Sequence, residues 1–303
     1  MRIFVTGASG WIGSAVVPEL LQAGHEAVAL ARSDASVDAL KAAGAEVHRG
    51  SLDDLDALRD AAAASDGVIH LAFKHEEAFS GDPAAAADAD RRAIDTFGQA
   101  LTGSDRPLVI ASGLAGLRPG RLATEDDVPD AALPGGGRTL SERAVLALAD
   151  RGVRSCSIRL PPTVHGDGDH GFIATLVGTA RKHGTSGYIG DGANHWPAVH
   201  RLDAARLFRL AVEGAPAGSV LHGVAEERVP TRAIAEAIGR GLGLSAVSVA
   251  PGAAAQEYFG WIALLFGLDV RASSTHTQEL LGWHPTHQRL IEDLNEGHYF
   301  NGN

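Results

Sequence analysis

The chain has 303 residues, 26 basic against 37 acidic side chains, a formal net charge of -11 and a single cysteine. That length buries a sizeable core without disulfide staples, and the negative balance repels a phosphate backbone, so nucleic acid is excluded as an expected partner. Cys156 has no partner in the chain and reads as a small buried filler, which fits a reducing, cytoplasmic setting.

The first predicted strand, residues 2–6, begins so early that it leaves no room for a secretory signal. Its apolar run Arg2-Ile3-Phe4-Val5-Thr6 leads straight into Gly7-Ala8-Ser9-Gly10-Trp11-Ile12-Gly13 and a helix over 11–23. Each glycine has a physical task in such a strand-turn-helix unit. Gly7 permits the tight turn, Gly10 lets backbone N–H groups approach a pyrophosphate, and Gly13 lets helix pack closely on strand. The turn therefore predicts a dinucleotide cofactor.

The second strand, 26–31, ends Ala29-Leu30-Ala31-Arg32-Ser33, where a protein using NAD usually places an acid for the ribose 2′-hydroxyl. Arg32 can grip a 2′-phosphate bidentately and Ser33 can add a donor, which favours NADP over NAD. The other readings of Arg32 are a cap on adenine or a solvated side chain, and Asp34 close by keeps NAD in play.

Strands at 45–48, 67–72, 107–112 and 154–160 follow, alternating with helices near 36–43, 54–64, 83–102 and 138–151. The strands are almost wholly apolar, so both faces of a parallel sheet should be covered by helices. Periodicity lapses over 113–137, a stretch suited to a lid. Beyond residue 161 come loops at 165–171 and 184–197 and helices near 203–213 and 230–242. The apolar stretch 259–268 is far shorter than the roughly 20 residues of a membrane span. The expected architecture is α/β: a Rossmann-type doubly wound parallel sheet over 1–164 with a smaller carboxy-terminal substrate lobe over 165–303, from which segments near 198–225 return to the sheet.

The glycine turn, Val68-Ile69-His70-Leu71-Ala72, the strand end Ile110-Ala111-Ser112-Gly113, Arg159-Leu160-Pro161-Pro162-Thr163-Val164-His165-Gly166, Tyr188-Ile189-Gly190-Asp191-Gly192 and Val199-His200-Arg201-Leu202-Asp203 together resemble the extended short-chain dehydrogenase/reductases, the epimerase/dehydratase family. The resemblance implies that Ser51 and Leu52 flank the adenine, that Leu71, Ala72 and Phe73 pass under the ribose, and that Pro162 and Val164 meet the carboxamide. The family's tyrosine with a lysine four residues later is missing. The residues four beyond Tyr188, Tyr258 and Tyr299 are Gly192, Ile262 and Asn303, and on the helix after the lid Arg138 stands in the tyrosine position with Glu142 in the lysine position. Such departures resemble the atypical subgroup, which keeps the cofactor fold without the standard triad.

A reductase then needs another group to protonate or polarise the acceptor. Lys74 lies at a strand end expected to open toward the nicotinamide ribose, either as a polarising ammonium or as a surface lysine at a loop start. Ser112 can donate to the substrate or to the nicotinamide, and Arg138 can stabilise an oxyanion or pair with the acidic loop 125–127. His165 follows Val164 and is the best placed histidine for lining the substrate, with His170 and His200 near it in sequence. Tyr188, Trp196, Tyr258, Phe259 and Trp261 offer either an aromatic wall or core packing. The histidine spacings are poor ligand patterns, and no metal is expected.

Three functions fit: an NADPH-dependent reductase of a small carbonyl or activated alkene, a redox sensor that binds NADP(H) without turnover, and a sugar-nucleotide epimerase or dehydratase. The helices at 83–102 and 138–151 could form a homodimer seam.

Overall fold

The computed structural model describes residues 1–133 and 136–301. Its strands are β1 (Arg2–Thr6), β2 (Glu26–Ala31), β3 (Glu46–Arg49), β4 (Gly67–His70), β5 (Pro107–Gly113), β6 (Leu122–Ala123), β7 (Arg154–Leu160), β8 (Thr163–His165), β9 (Ser186–Ile189), β10 (His195–His200), β11 (Ser219–His222), β12 (Glu226–Pro230), β13 (Ala246–Val249) and β14 (Arg271–Ala272). Its helices are α1 (Gly13–Gln22), α2 (Asp34–Ala42), α3 (Leu55–Ala63), α4 (His75–Ser80), α5 (Pro83–Leu101), α6 (Thr139–Ala147), α7 (Phe172–His183), α8 (Arg201–Gly214), α9 (Thr231–Leu242), α10 (Ala253–Phe259), α11 (Ala263–Phe266), α12 (Thr275–Leu281) and α13 (Leu290–Asn295).

Seven parallel strands form the central sheet in the order β11-β7-β5-β4-β1-β2-β3. The order reverses between β1 and β4, so their carboxyl ends diverge into a crevice of the kind that receives ligands in open α/β sheets. Alternate side chains explain why the strands read as continuously apolar. Ile3 and Val5 pack on α1 and α8 on one face, while Phe4 packs on α3 and α5 on the other.

The seventh strand, β11, comes from the carboxy-terminal half, and α8 just before it lays Leu207, Phe208, Ala211 and Val212 across the sheet. A separate core gathers Ile173, Leu176, Trp196, Ile238, Phe259, Phe266 and Leu294 from α7, β10, α9, α10, α11 and α13. Around it lie the small sheets β12-β10-β8 and β13-β9. The lid segment is tied down in part: β6 pairs with β14, and Gly120 N donates to Asp269 O at 2.9 Å. No helix among the described residues is long and apolar enough to cross a membrane.

Candidate functional site

The turn after β1 is built so that side chains cannot enter it. Gly7 has φ +66°, and a Cβ there would lie 2.6 Å from Ala72 N at the end of β4. At Gly13 a Cβ would come within 2.1 Å of Gly7 O, which seats the start of α1 directly on the turn. Gly10 N donates to Gly7 O at 3.0 Å, and a Cβ on Gly10 would meet nothing but that oxygen within 4 Å. The outer side of the turn is therefore open, with Ser9 and Gly10 exposed. A pyrophosphate fits this cradle at the N-terminus of a helix.

Thr6 joins the turn to β4: its Oγ1 accepts from Ala72 N at 3.3 Å and lies 2.6 Å from His70 Nδ1. Trp11 joins it to the strand β8, its indole N–H donating to Val164 O at 2.8 Å. The Arg201 guanidinium lies 4.3 Å over the Trp11 ring, and His170 meets the same ring edge-on at 5.6 Å. Ile12 packs against the sheet core beside α1. Leu71, Ala72 and Phe73 run along the carboxyl edge of the sheet, half-buried, as do Pro162 and Val164 on the far side of the crevice.

At the adenosine end Arg32 is exposed and, among the described residues, makes no ion pair. The Ser33 hydroxyl caps α2 by accepting from Ser36 N at 3.2 Å. The pairing of Ala31 with Arg49 brings a second guanidinium to the same corner, where Arg49 binds Asp34. Arg49 is absent from the sequence-based site because strand register alone brings it there. Ser51 accepts from Asp53 N at 3.2 Å, and Leu52 is buried against the sheet.

The Lys74 ammonium lies 3.0 Å from Asp53 and 3.2 Å from Glu77, so it points back along the 51–53 segment. The hydrogen bond to Asp53 raises its pKa, against partial burial, and leaves it a neutralised ion-pair member. Ser112 is buried at the end of β5, in register with Arg159.

Arg138, just ahead of α6, lies 4.6 Å over the Phe73 ring and 3.4 Å from Asp90 Oδ1. Asp90 is wholly buried on α5 and also meets His70 Nε2 at 3.1 Å, so Thr6, His70, Asp90 and Arg138 form one line of contacts beneath the crevice. Burial alone would raise the Asp90 carboxyl, but the Arg138 charge and the His70 bond hold it down at about 2. Asp90 Oδ2 and Arg138 Nε are buried without hydrogen-bond partners among the described residues, and the Ser141 hydroxyl helps to hold the Asp90 carboxyl down, which leaves a polar gap between α5 and α6.

Glu142 turns away from that gap. It is buried in a pair with Arg159, 2.7 Å at the closest, and accepts from Ser157 Oγ at 3.0 Å. Two open concavities, of about 270 and 480 Å³, lie beyond it against the lid residues Glu125 and Asp126 and His276, away from the glycine turn.

The expected substrate residues disperse. His165 is 1% exposed, bonded to Asp293 at 2.9 Å and edge-on to His200. His200 caps α8 and stacks on His287 at 4.8 Å; burial, with the charges of His165 and His287, pushes its pKa down to about 4. Trp196 is fully buried in the second core, donating to Leu265 O. Tyr258 stacks on His183 at 4.2 Å and donates to Thr185 O, and Tyr188 lies under Arg232. Phe259 is core, whereas Trp261 is half exposed and meets Phe172 edge-on. Of these five, Trp196 and Phe259 fill the lobe's interior, while Tyr188, Tyr258 and Trp261 stay partly exposed. Asp293, Glu296 and His298 bring ligand atoms within 4.8 Å of one another. Burial pushes the Cys156 thiol up to about 12, which makes it inert as a nucleophile.

Residues 3–221 match the model of the NAD dependent epimerase/dehydratase family. An uncharacterized protein of Schizosaccharomyces pombe is 47% identical over 302 residues, covering 99% of this chain and 100% of the relative. A sterol-4-alpha-carboxylate 3-dehydrogenase, decarboxylating, of Dictyostelium discoideum is 29% identical over 237 residues, 73% of this chain and 70% of the relative. A solved dTDP-glucose 4,6-dehydratase from Streptomyces venezuelae, with NAD bound, is similar in fold at TM-score 0.80 and 21% identity, covering 100% of this chain and 98% of that one.

Proposed function

The chain belongs to the NAD dependent epimerase/dehydratase family and is an NAD(P)-dependent oxidoreductase of the extended short-chain type; from that premise we propose that it uses NADPH to reduce a carbonyl or activated alkene of a small organic substrate, with a proton donor other than tyrosine. The observation that carries the cofactor choice is Arg32, exposed and, among the described residues, in no ion pair, at the carboxyl end of β2 beside the Asp34–Arg49 pair. A 2′-phosphate gives that guanidinium the bidentate partner it lacks.

Gly7, Gly10 and Gly13 would hold the pyrophosphate, Ser51 and Leu52 the adenine, Leu71 to Phe73 the ribose, and Pro162 and Val164 the carboxamide. When bound, the cofactor supplies a hydride. Arg138, which stands where the family's tyrosine is expected, is the cation that faces Phe73 and Asp90. Arg138 and Ser112 then orient ribose and acceptor oxygen, and Asp90 keeps the guanidinium aimed. His170, exposed against Trp11, and Trp261 with Phe172 are the groups left to border an apolar substrate. The exposed Leu140 on α6 agrees with a homodimer through α5 and α6, which light scattering would detect.

The test is titration of the purified chain with NADPH and NADH, followed by NADPH oxidation across a panel of ketones, aldehydes and enones. Tighter NADPH binding with turnover is expected. Binding without any turnover would support the sensor function instead, and conversion of a sugar nucleotide without net NADPH consumption would support the epimerase or dehydratase.

A further inference from the structure

We propose that the concavity between the lid segment and α12 binds a small organic amine with an apolar tail, the ammonium seated on Glu125. The site lies away from the glycine turn, so the inference stands independently of the reductase reading above.

Glu125 follows β6 in the lid and is only 6% exposed, yet among the described residues it makes no ion pair. Thr277 fixes the carboxylate from α12: its backbone N–H and its hydroxyl both donate to Oε1, at 2.9 and 2.6 Å. No hydrogen bond from the described residues reaches Oε2, and Glu125 lines both concavities. Arg159 does not neutralise it. That guanidinium is paired with Glu142 at 2.7 Å, and its hydrogen bond to Glu125 goes to the backbone oxygen, 3.4 Å away. A carboxylate more than nine-tenths buried, with one oxygen unpartnered, calls for a donor from outside the fold.

The smaller concavity, about 270 Å³, sets Asp126 and Glu279 at its rim above Glu125, with the hydroxyls of Thr124, Ser273 and Thr275 between them. No lysine or arginine among the described residues lines it. An ammonium brings three N–H donors and no acceptor, which matches a wall of carboxylates and hydroxyls, whereas an anion is repelled by it. A bare metal ion matches less well. Among the described residues, the ligand-type side chains that gather in threes within 4.8 Å are Asp293, Glu296 and His298, and none of them is here.

The larger concavity, about 480 Å³, meets the smaller at Glu125, Asp126 and His276. Glu142 pairs with Arg159 there and Asp127 with Arg121, while Arg143 also borders it, so the cationic head belongs in the smaller one. Val128, Pro129, Leu146 and Val220 give the larger one an apolar wall, and Val128 is 73% exposed. A tail that runs from the ammonium over these side chains removes that apolar surface from water. Glu125 belongs to the lid and Glu279 to α12, so an ammonium held by both ties the lid to the carboxy-terminal half.

The experiment is isothermal titration of the full chain with n-hexylamine, n-hexanol, hexanoate and Mg²⁺ at fixed ionic strength. It uses the wild type, Glu125→Gln, Glu279→Gln, Val128→Ser and, at an exposed position on β12, Glu227→Gln as the control. Hexylamine should bind the wild type at a single site with roughly millimolar affinity, and hexanol and hexanoate should bind about 10-fold or more weakly than that. E125Q should lose about 10- to 100-fold, E279Q and V128S about two- to fivefold, and E227Q should match the wild type. Glu279 and Val128 are exposed, so those two variants keep the test open if E125Q fails to fold. Hexanol binding as tightly as hexylamine, E279Q and V128S indistinguishable from E227Q, or Mg²⁺ displacing hexylamine at equal affinity would each overturn the site, as would a wild type that takes up no hexylamine. NADPH titration of the same samples reports on the reductase separately.

Discussion

Replacing Arg32 by Ala should convert a chain that prefers NADPH into one that barely distinguishes the two cofactors. Arg32 is exposed, has no acidic partner among the described residues, and follows the last residue of β2, while Ser33 is already occupied in capping α2. A hydrogen bond to a charged group contributes about 1.5–3 kcal/mol, so losing the guanidinium should weaken NADPH about 10- to 100-fold. NADH, which has no phosphate there, should change by less than about twofold. The contact is solvent-exposed, so the difference should shrink as salt rises. Asp34→Asn tests the same corner from the other side: Arg49, released from its carboxylate, becomes available to the phosphate and NADPH should bind more tightly. Isothermal titration of both cofactors at low and moderate salt reads all of this. Equal weakening of NADPH and NADH in R32A, or no change in either, would refute the reasoning.

Gly13→Ala should cost about 3 kcal/mol and abolish cofactor binding, because its Cβ would lie 2.1 Å from Gly7 O and neither backbone can yield; thermal unfolding and NADPH fluorescence check it, and an unchanged Tm would contradict the packing argument. Glu142→Ala strands the buried Arg159 guanidinium and should cost about 3–5 kcal/mol in a denaturant titration. His200 has a folded pKa of about 4, below its unfolded value, so its contribution is complete above the unfolded pKa and is lost as pH falls from about 6.5 toward 4. Between pH 7 and pH 5 the loss amounts to about 2 kcal/mol, and His200→Gln should flatten the decline of Tm over that range.

The strands at 2–6 and 26–31 were legible to the residue because a nearly unbroken apolar run flanked by turn residues has one physical reading in a sheet covered on both faces, and the strand at 154–160 was legible too although Ser155, Ser157 and Arg159 interrupt it. α7 and the carboxy-terminal helices α10, α12 and α13 were not, since α7 is interrupted by Gly178 and the other three run for only seven, seven and six residues. The glycine turn was readable because its requirements are local. The site's charged framework was not, because Arg49, Asp90 and Arg138 meet only through register and helix packing. One sign of it was present: Asp90 falls on the same helical face as Ala86, Ala93, Ile94 and Phe97, and a carboxylate on a core-facing stripe demands a cationic partner. Residue type alone could not separate the two uses of an aromatic, because a small lobe fills its interior, as with Trp196 and Phe259, with the same side chains that line pockets.

The path of the central sheet bears on how the protein is made. The chain leaves the sheet at Leu160 and returns only with β11 at Ser219, after α7, three further strands and α8. Until the ribosome has released that returning stretch, β7 is a bare edge and the face bearing Ile3, Val5 and Val109 lacks its α8 cover. A nascent chain halted near residue 164 therefore exposes a sticky strand and a wide apolar surface, the condition that recruits chaperones during synthesis. Fragments cut there should aggregate, while insertions at the lid tip, which precede no sheet strand until β7, should be borne far better.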